Sequence, residues 1–233
     1  MGNKKNVHKK KQLLSLLGKL NFCAKVVVHG NKFMRRLISL SKKGTHLYSK
    51  LRLNKETKKD LLWWKKCMAS HNGLGWMDKE FRMDIAIPLF TDASDTAMAA
   101  VMGTKWTVIE FNGRYKWLAK KSIGYRELAA VVLCLATFSK DLKNKYVIMN
   151  IDNQGIQQAL EKGTSTKEDI MGLIRAAYFY TGINNVTYKT VHIGTHINST
   201  ADALSRQNYT LFRLVSPGSD LAMTPPRDFL IDF

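Results

Sequence analysis

The chain has 233 residues, 45% of them apolar, enough for one sizeable core and a smaller appendage. Its 37 Lys and Arg against 18 Asp and Glu leave a net charge of +19, an excess that favours a polyanionic partner or an acidic membrane surface. Cys23, Cys67 and Cys134 form no CxxC pair and are odd in number, which argues against a disulfide framework or a zinc knuckle and for a reducing, intracellular compartment.

The chain opens on NKKNVHKKK, charged and polar where the apolar core of a secretory signal would lie, so no such signal is expected. That string reads either as a nuclear address or as part of a phosphate-binding surface, leaving nuclear and cytoplasmic locations open. Leu13, Leu14, Leu16, Leu17 and Leu20 form an apolar stripe that predicts a helix, and Phe33, Met34, Leu37, Ile38 and Leu40 predict a second. A third begins near Asn54, a plausible N-cap with Glu56 close behind, and runs through Leu61, Leu62, Trp63 and Trp64 to about Ser70. Residues 1–84 hold 21 Lys and Arg against 5 Asp and Glu, a net +16, whereas residues 85–233 net only +3. Residues 1–83 thus read as a small basic helical region, whose lysines either grip phosphates or merely solvate helix faces.

After Asn72, Gly73 and Gly75 the pattern changes. Ile85, Ile87, Leu89 and Thr91 alternate as in a half-buried strand, and Met98 to Val101 and Trp106 to Phe111 predict two more in an antiparallel meander. A long apolar helix is expected from about Ser122 to Leu142. Its longest apolar run, Ala129 to Phe138, is about half of the roughly 20 residues that cross a bilayer, so it reads as buried in protein and no membrane contact is expected. Then follow a strand, Tyr146 to Ile151, helices from Asn153 to Glu161 and Lys167 to Tyr180, a strand from Val186 to Ile193, and a last helix from Ser199 to Arg206. This order predicts an α/β domain over 84–208, a mixed five-stranded sheet with helices on both faces. Residues 209–233, with Pro217, Pro225 and Pro226, read as an irregular extension.

Four carboxylates fall at element ends. Asp92 in TDAS closes the first strand, Glu127 in YRELAAV sits in the first turns of the apolar helix, Asp152 in NIDNQ follows the fourth strand, and Asp202 in NSTADALSR lies in the first turn of the last helix. Each has a plain structural reading as well: a turn former, a helix-dipole partner, a cap, or an ion pair with Arg206 four residues on. Gathering four such acids has a chemical reason, because two Mg²⁺ ions about 4 Å apart can activate a water and stabilise a leaving oxygen in phosphodiester hydrolysis. Mg²⁺ takes hard oxygen ligands and keeps several waters, so a few carboxylates suffice.

IPLFTDAS, YRELAAV, IDNQGIQQALEKGTS and VHIGTHINSTADALSR, in this order, resemble a type-one ribonuclease H domain of the kind carried by retroelement polyproteins. The ADALSR string is similar to that of DIRS- and gypsy-type retrotransposons. The resemblance, which covers residues 84 to about 206, implies a ribonuclease H-like fold and Mg²⁺-dependent endonucleolytic cleavage of the RNA strand of RNA/DNA hybrids. It implies two Mg²⁺, with Mn²⁺ as a substitute, held by Asp92, Glu127 and Asp152, with Asp202 completing the second site. It further implies a mobile histidine before the last aspartate: His192 stands ten residues ahead of Asp202, and His196 competes for the role. Ser94 and Asn153, beside two of these acids, and Asn198, between His192 and Asp202, are candidate substrate contacts, while small polar residues at strand ends are also common turn formers. The chain departs from HIPG-like strings in lacking the proline, since Ile193 and Gly194 follow His192.

LLSLLGKLNFCAKVV, FMRRLISL and LRLNKETKKDLLWWKKCMASHNG are similar to the thumb and connection region of reverse transcriptases. No adjacent Asp-Asp pair occurs, so the polymerase palm is expected to be a missing partner and the chain a fragment of a retrotransposon reverse transcriptase. Two further readings stand beside a hybrid-cleaving nuclease: a catalytically silent nucleic-acid-binding remnant, and a nuclease of the same fold acting on DNA.

Overall fold

The computed structural model describes residues 7–27, 29–70, 81–194 and 196–231, and the chain divides into two compact units between residues 79 and 80. The pattern change at Asn72, Gly73 and Gly75, and the first four residues of the NKKNVHKKK string, lie outside the described residues.

In the first unit, β1 (Val7–Lys9) leads into α1 (Lys10–Cys23), a 3-10 turn (Gly30–Phe33) and α2 (Arg35–Ser41), and β2 (Lys50–Arg52) then leads into α3 (Lys55–Ser70). Leu13, Leu17 and Leu20 are the buried members of the α1 stripe, spaced so that one face meets the core, while Leu14 stays partly outside. Phe33 stacks on Trp63 at 4.2 Å between ring centroids, and both are buried. A Cβ on Gly30 would come within 2.7 Å of the Trp64 ring, so only glycine admits that close approach. Asn54 caps α3 as its position suggests, its Oδ1 accepting from the Thr57 N–H at 2.8 Å. The helical reading omitted one feature: β1 and β2 pair antiparallel, Lys9 opposite Lys50 and His8 opposite Leu51. Strands of three residues are too short to leave a readable alternation.

The second unit is a mixed α/β domain. The meander β3 (Ile87–Ala93), β4 (Ala97–Met102) and β5 (Lys105–Glu110) is antiparallel, β6 (Tyr146–Ile151) and β7 (Thr187–His192) add in parallel beside β3, and the sheet runs β7-β6-β3-β4-β5 before a last strand. Because β3, β6 and β7 are parallel, their C-terminal ends share one edge, where sites form in open α/β sheets. Every residue of β4 is buried, as befits a central strand covered on both sides. On one side α4 (Ile123–Thr137), apolar through Leu128–Ala136, packs on β3, β4 and α7 (Glu168–Ile183). On the other, α8 (Ser199–Ser205) packs on the same strands, and Ala201, Ala203 and Leu204 join Ala99, Val101 and Phe212 in one apolar cluster. The long helix expected from Ser122 to Leu142 breaks at Phe138, leaving α5 (Ser139–Leu142) as a separate turn, and α6 (Gln154–Lys162) crosses between β6 and β7. Among the described residues no helix is long and apolar enough to cross a membrane.

The sheet has six strands, not five. In the region read as irregular, α9 (Tyr209–Val215) is helical and β8 (Leu221–Ala222) pairs in parallel with β5 through Lys105 and Trp106. Two residues between turn formers carry no periodicity, and β8 exists because the β5 edge and the Trp106 indole, which donates to the Ser219 carbonyl at 3.0 Å, hold it there.

Candidate active site

Asp92 stands opposite Ala99 in β3, and the parallel register that sets Phe90 beside Asn150 carries Asp152, just past β6, to the neighbouring strand end. Asn150 fixes that register by donating its amide to the Leu89 carbonyl at 3.1 Å. Glu127 reaches the same place from α4, whose first turn is capped by Ser122 Oγ accepting from the Tyr125 N–H. Asp202 approaches from the start of α8, where its N–H donates to the Asn198 carbonyl. Two strand ends and two helices from opposite faces thus direct these acids toward one edge, with Asp92 in electrostatic reach of Asp152 and Asp202, and Glu127 of Asp152 and Asp92.

Burial, with the neighbouring acids adding to it, raises the carboxyls of Asp92 and Glu127. Burial pushes the Asp92 carboxyl up to about 6; the Ser205 hydroxyl, which donates to it, pulls the other way, and the charges of Asp152 and Asp202 add to the rise. Burial likewise pushes Glu127 up to about 7, with the charge of Asp152 next, the Asn153 amide opposing and Asp92 adding a smaller push. Glu127 Oε2 is buried with no hydrogen-bond partner, an uncommon state for a carboxylate oxygen and one that a cation would relieve.

These hard oxygen donors fit a divalent metal in chemistry. Among the described residues, however, no three His, Cys, Asp or Glu side chains are gathered closely enough to form a finished ligand group. The two observations agree, since charges act across several ångströms whereas Mg²⁺ bonds its ligands at about 2.1 Å. Two of the acids are also engaged: Ser205 holds Asp92, and Arg206 Nε donates to Asp202 Oδ1 at 2.7 Å.

The other expected residues divide by what they touch. His192, exposed at the end of β7, sets Nε2 3.1 Å from the Asp152 carbonyl oxygen, so it borders the acids. His196 folds against Gly194, where a Cβ would come within 2.8 Å of its ring. Asn153 caps α6, its Oδ1 accepting from Ile156 N–H at 3.1 Å, and its amide reaches Glu127. Ser94 spends its hydroxyl inside the fold, donating to the Ser205 carbonyl at 2.7 Å and accepting from Thr96 and Ala97 N–H groups. Asn198, suggested as a substrate contact, is 0% exposed and donates to the Thr91 carbonyl at 3.0 Å, so it ties α8 to β3.

Three further residues shape the site, and two of them, Ser205 and Arg126, are not singled out by the sequence. Ser205 follows Asp202 by one helical turn and donates to Asp92, a contact across 113 positions that no local spacing reveals. Arg206 was foreseen as an ion pair only in the structural reading of Asp202. Buried Arg126 anchors the β3–β4 turn, donating to the Ser94 carbonyl at 2.6 Å and to Asp95 at 2.8 Å, and nothing in YRELAAV distinguishes it from a solvated arginine.

No protein-family model and no curated protein sequence matches the chain. Among solved structures it is similar to ribonuclease H1 from the halophilic archaeon Halobacterium salinarum NRC-1, at 17% identity and a TM-score of 0.41, covering 54% of this chain and 98% of that one. It is also similar to the foamy viral protease-reverse transcriptase dRH in complex with double-stranded DNA, at 14% identity and a TM-score of 0.33, covering 82% of this chain and 36% of that one.

Proposed function

We propose that the chain is a ribonuclease H-type endonuclease that hydrolyses the RNA strand of RNA/DNA hybrids, as part of a retrotransposon reverse transcriptase whose palm is a separate partner segment. The placement of Asp92, Glu127, Asp152 and Asp202 toward one sheet edge, with Asp92 and Glu127 raised by burial and each acting on its acidic neighbours, carries this reading. The ordered motifs from IPLFTDAS to ADALSR support it.

Asp92, Glu127 and Asp152 would hold one Mg²⁺, and Asp202, released from Arg206, would complete a site for a second; Mn²⁺ would substitute. Such an ion supplies Lewis-acid polarisation of the phosphoryl oxygens and a more acidic water. Water oxygen bonds to phosphorus, the 3′-oxygen leaves with a proton, and the products carry a 5′-phosphate and a 3′-hydroxyl. The second proton of the attacking water is released, and His192, bordering Asp152 at the exposed rim, is placed to carry it to solvent. Asn153 orients Glu127, and Asn198 and Ser205 hold α8 and Asp92 in register. Contacts to 2′-hydroxyls across the minor groove would select the RNA strand.

A single assay tests the proposal: purified protein on hybrid, duplex DNA, duplex RNA and single strands, with and without Mg²⁺. Cleavage confined to the hybrid and lost in Asp92→Asn and Asp152→Asn, with binding retained, is the expected result. Cutting of DNA alone would replace the reading with a DNA nuclease. Binding without cleavage would favour a silent remnant, the reading that the hold of Arg206 on Asp202 favours.

A further inference from the structure

Several cations of the first unit stand where they weaken the fold. Lys9 and Lys50 are directly opposite in the β1–β2 ribbon, both exposed, and like charges so paired repel across the ladder. Strand β2 alternates Lys50 and Arg52 outward with Leu51 inward, so the outer face of the ribbon is cationic while the inner one seals the core. Two residues on, Lys55 and Lys58 occupy the first turn of α3, the positive end of the helix dipole, where cations are disfavoured. Arg52, Leu53, Asn54, Lys55 and Lys58 line a cleft of about 430 Å³ that contains no acid. Glu56 and Asp60, the acids of that helix, instead meet Arg36, at 3.5 and 3.3 Å. Among the described residues, Lys50, Arg52 and Lys58 have no carboxylate partner. Exposed Tyr48 lies beneath the Lys9 ammonium, 5.9 Å from ring centroid to Nζ, and extends the surface with a ring on which a sugar or base can rest.

Charges held against ribbon stability and against a helix dipole need a partner that repays them. We infer that the outer face of the β1–β2 ribbon and the first turn of α3, with Lys9, Lys50, Arg52 and Lys58 as its contacts, form a docking track for the phosphate backbone of a nucleic-acid duplex. The track takes phosphates without reading sequence, because none of these side chains is presented with the paired amide or acid groups that discriminate bases. The inference rests on the reading that the chain binds nucleic acid, and it adds the surface, outside the acid site, that does so.

Its test separates it from the nuclease reading by measuring binding alone. Metal-free Asp152→Asn protein is titrated onto a fluorescent hybrid duplex by anisotropy between 50 and 200 mM salt, on two unrelated sequences. The triple variant Lys50→Ala/Arg52→Ala/Lys58→Ala is compared with a control of equal charge loss, Lys19→Ala/Lys25→Ala/Lys65→Ala, and with the charge-conserving Lys50→Arg/Arg52→Lys/Lys58→Arg. The track triple is expected to lower affinity at least about tenfold on both sequences and to flatten the log–log salt slope by about 2 to 3, with the charge-conserving triple near the parent. The control should lose less than half as much. Equal losses in the two alanine triples, or a charge-conserving triple as weak as the track triple, would overturn the track. An acidic lipid vesicle competing as strongly as the duplex would overturn the choice of partner. These results stand whether or not the chain cleaves the hybrid.

Discussion

Asp92 and Glu127 sit higher on the acidity scale than free carboxyls, and the sign of the consequence follows from that direction. Between about pH 4 and pH 7 the folded chain retains protons that the unfolded chain has shed, so stability falls as pH rises through that window. For buried Asp92 the loss is on the order of 2 to 3 kcal/mol. Urea titrations of metal-free protein should therefore show stability declining from pH 5 to pH 7.5, and Asp92→Asn should flatten the decline; an unchanged slope in that variant would refute the assignment. Mg²⁺ at millimolar levels should stabilise more at pH 8 than at pH 5, because ionised acids bind it better. Ser205→Ala removes the hydroxyl that pulls Asp92 down, so the acid limb of the cleavage profile should move to higher pH, while the fold loses about 1 to 3 kcal/mol for the lost buried hydrogen bond. A pH profile identical to the parent's would show that Ser205 only packs. The four acids could be read in the sequence because their residue types stand out beside apolar runs. The hydroxyl of Ser205 could not, since what gives it a role is a contact across 113 positions.

Strands β3 to β7 and helices α4, α6, α7 and α8 were legible because each carries its own period or a polar boundary, Gly103 and Gly163 at positive φ among them. The β1–β2 ribbon and β8 were not, because two or three residues hold no period and form only where a partner edge exists. Helix α6 joins both levels. Its cap, Asn153, satisfies the Ile156 N–H and also reaches Glu127, so substitutions should separate the two roles. Asn153→Ala should cost about 1 kcal/mol of stability and raise the Glu127 carboxyl further. Asn153→Ser keeps a capping oxygen but lacks the amide, so its melting temperature should stay near the parent's while the pH profile of cleavage still shifts. Equal thermal losses in the two variants would mean that the cap is not what Asn153 supplies.

The charge division, +16 over residues 1–84 against +3 beyond, matches the placement of the acids in the second unit and the unpaired cations in the first. Nothing in composition indicates where the second unit ends, and the fold answers that differently from the sequence. Phe212 and Phe229 are each 0% exposed; Phe212 lies edge-on to Trp106 at 5.3 Å, and the Phe229 carbonyl accepts from Tyr180 Oη at 3.0 Å. Phe212 therefore closes the apolar cluster beneath α8, the helix that carries Asp202, while Phe229 ties the end of the chain to α7. If residues past 208 were an irregular appendage, removing them would leave the acid site intact. The structure predicts the opposite: Phe212→Ala should cost about 3 to 5 kcal/mol and lower the melting temperature by roughly 10 °C. A chain ending at residue 208 should lose Mg²⁺-dependent stabilisation along with α8 order, read as faster hydrogen exchange at Ala203 and Leu204. Parent-like exchange at those two amides in the truncated chain would show that α8 stands on β3 and β4 alone, through Asn198 and Ser205, and that the acid site needs nothing beyond it.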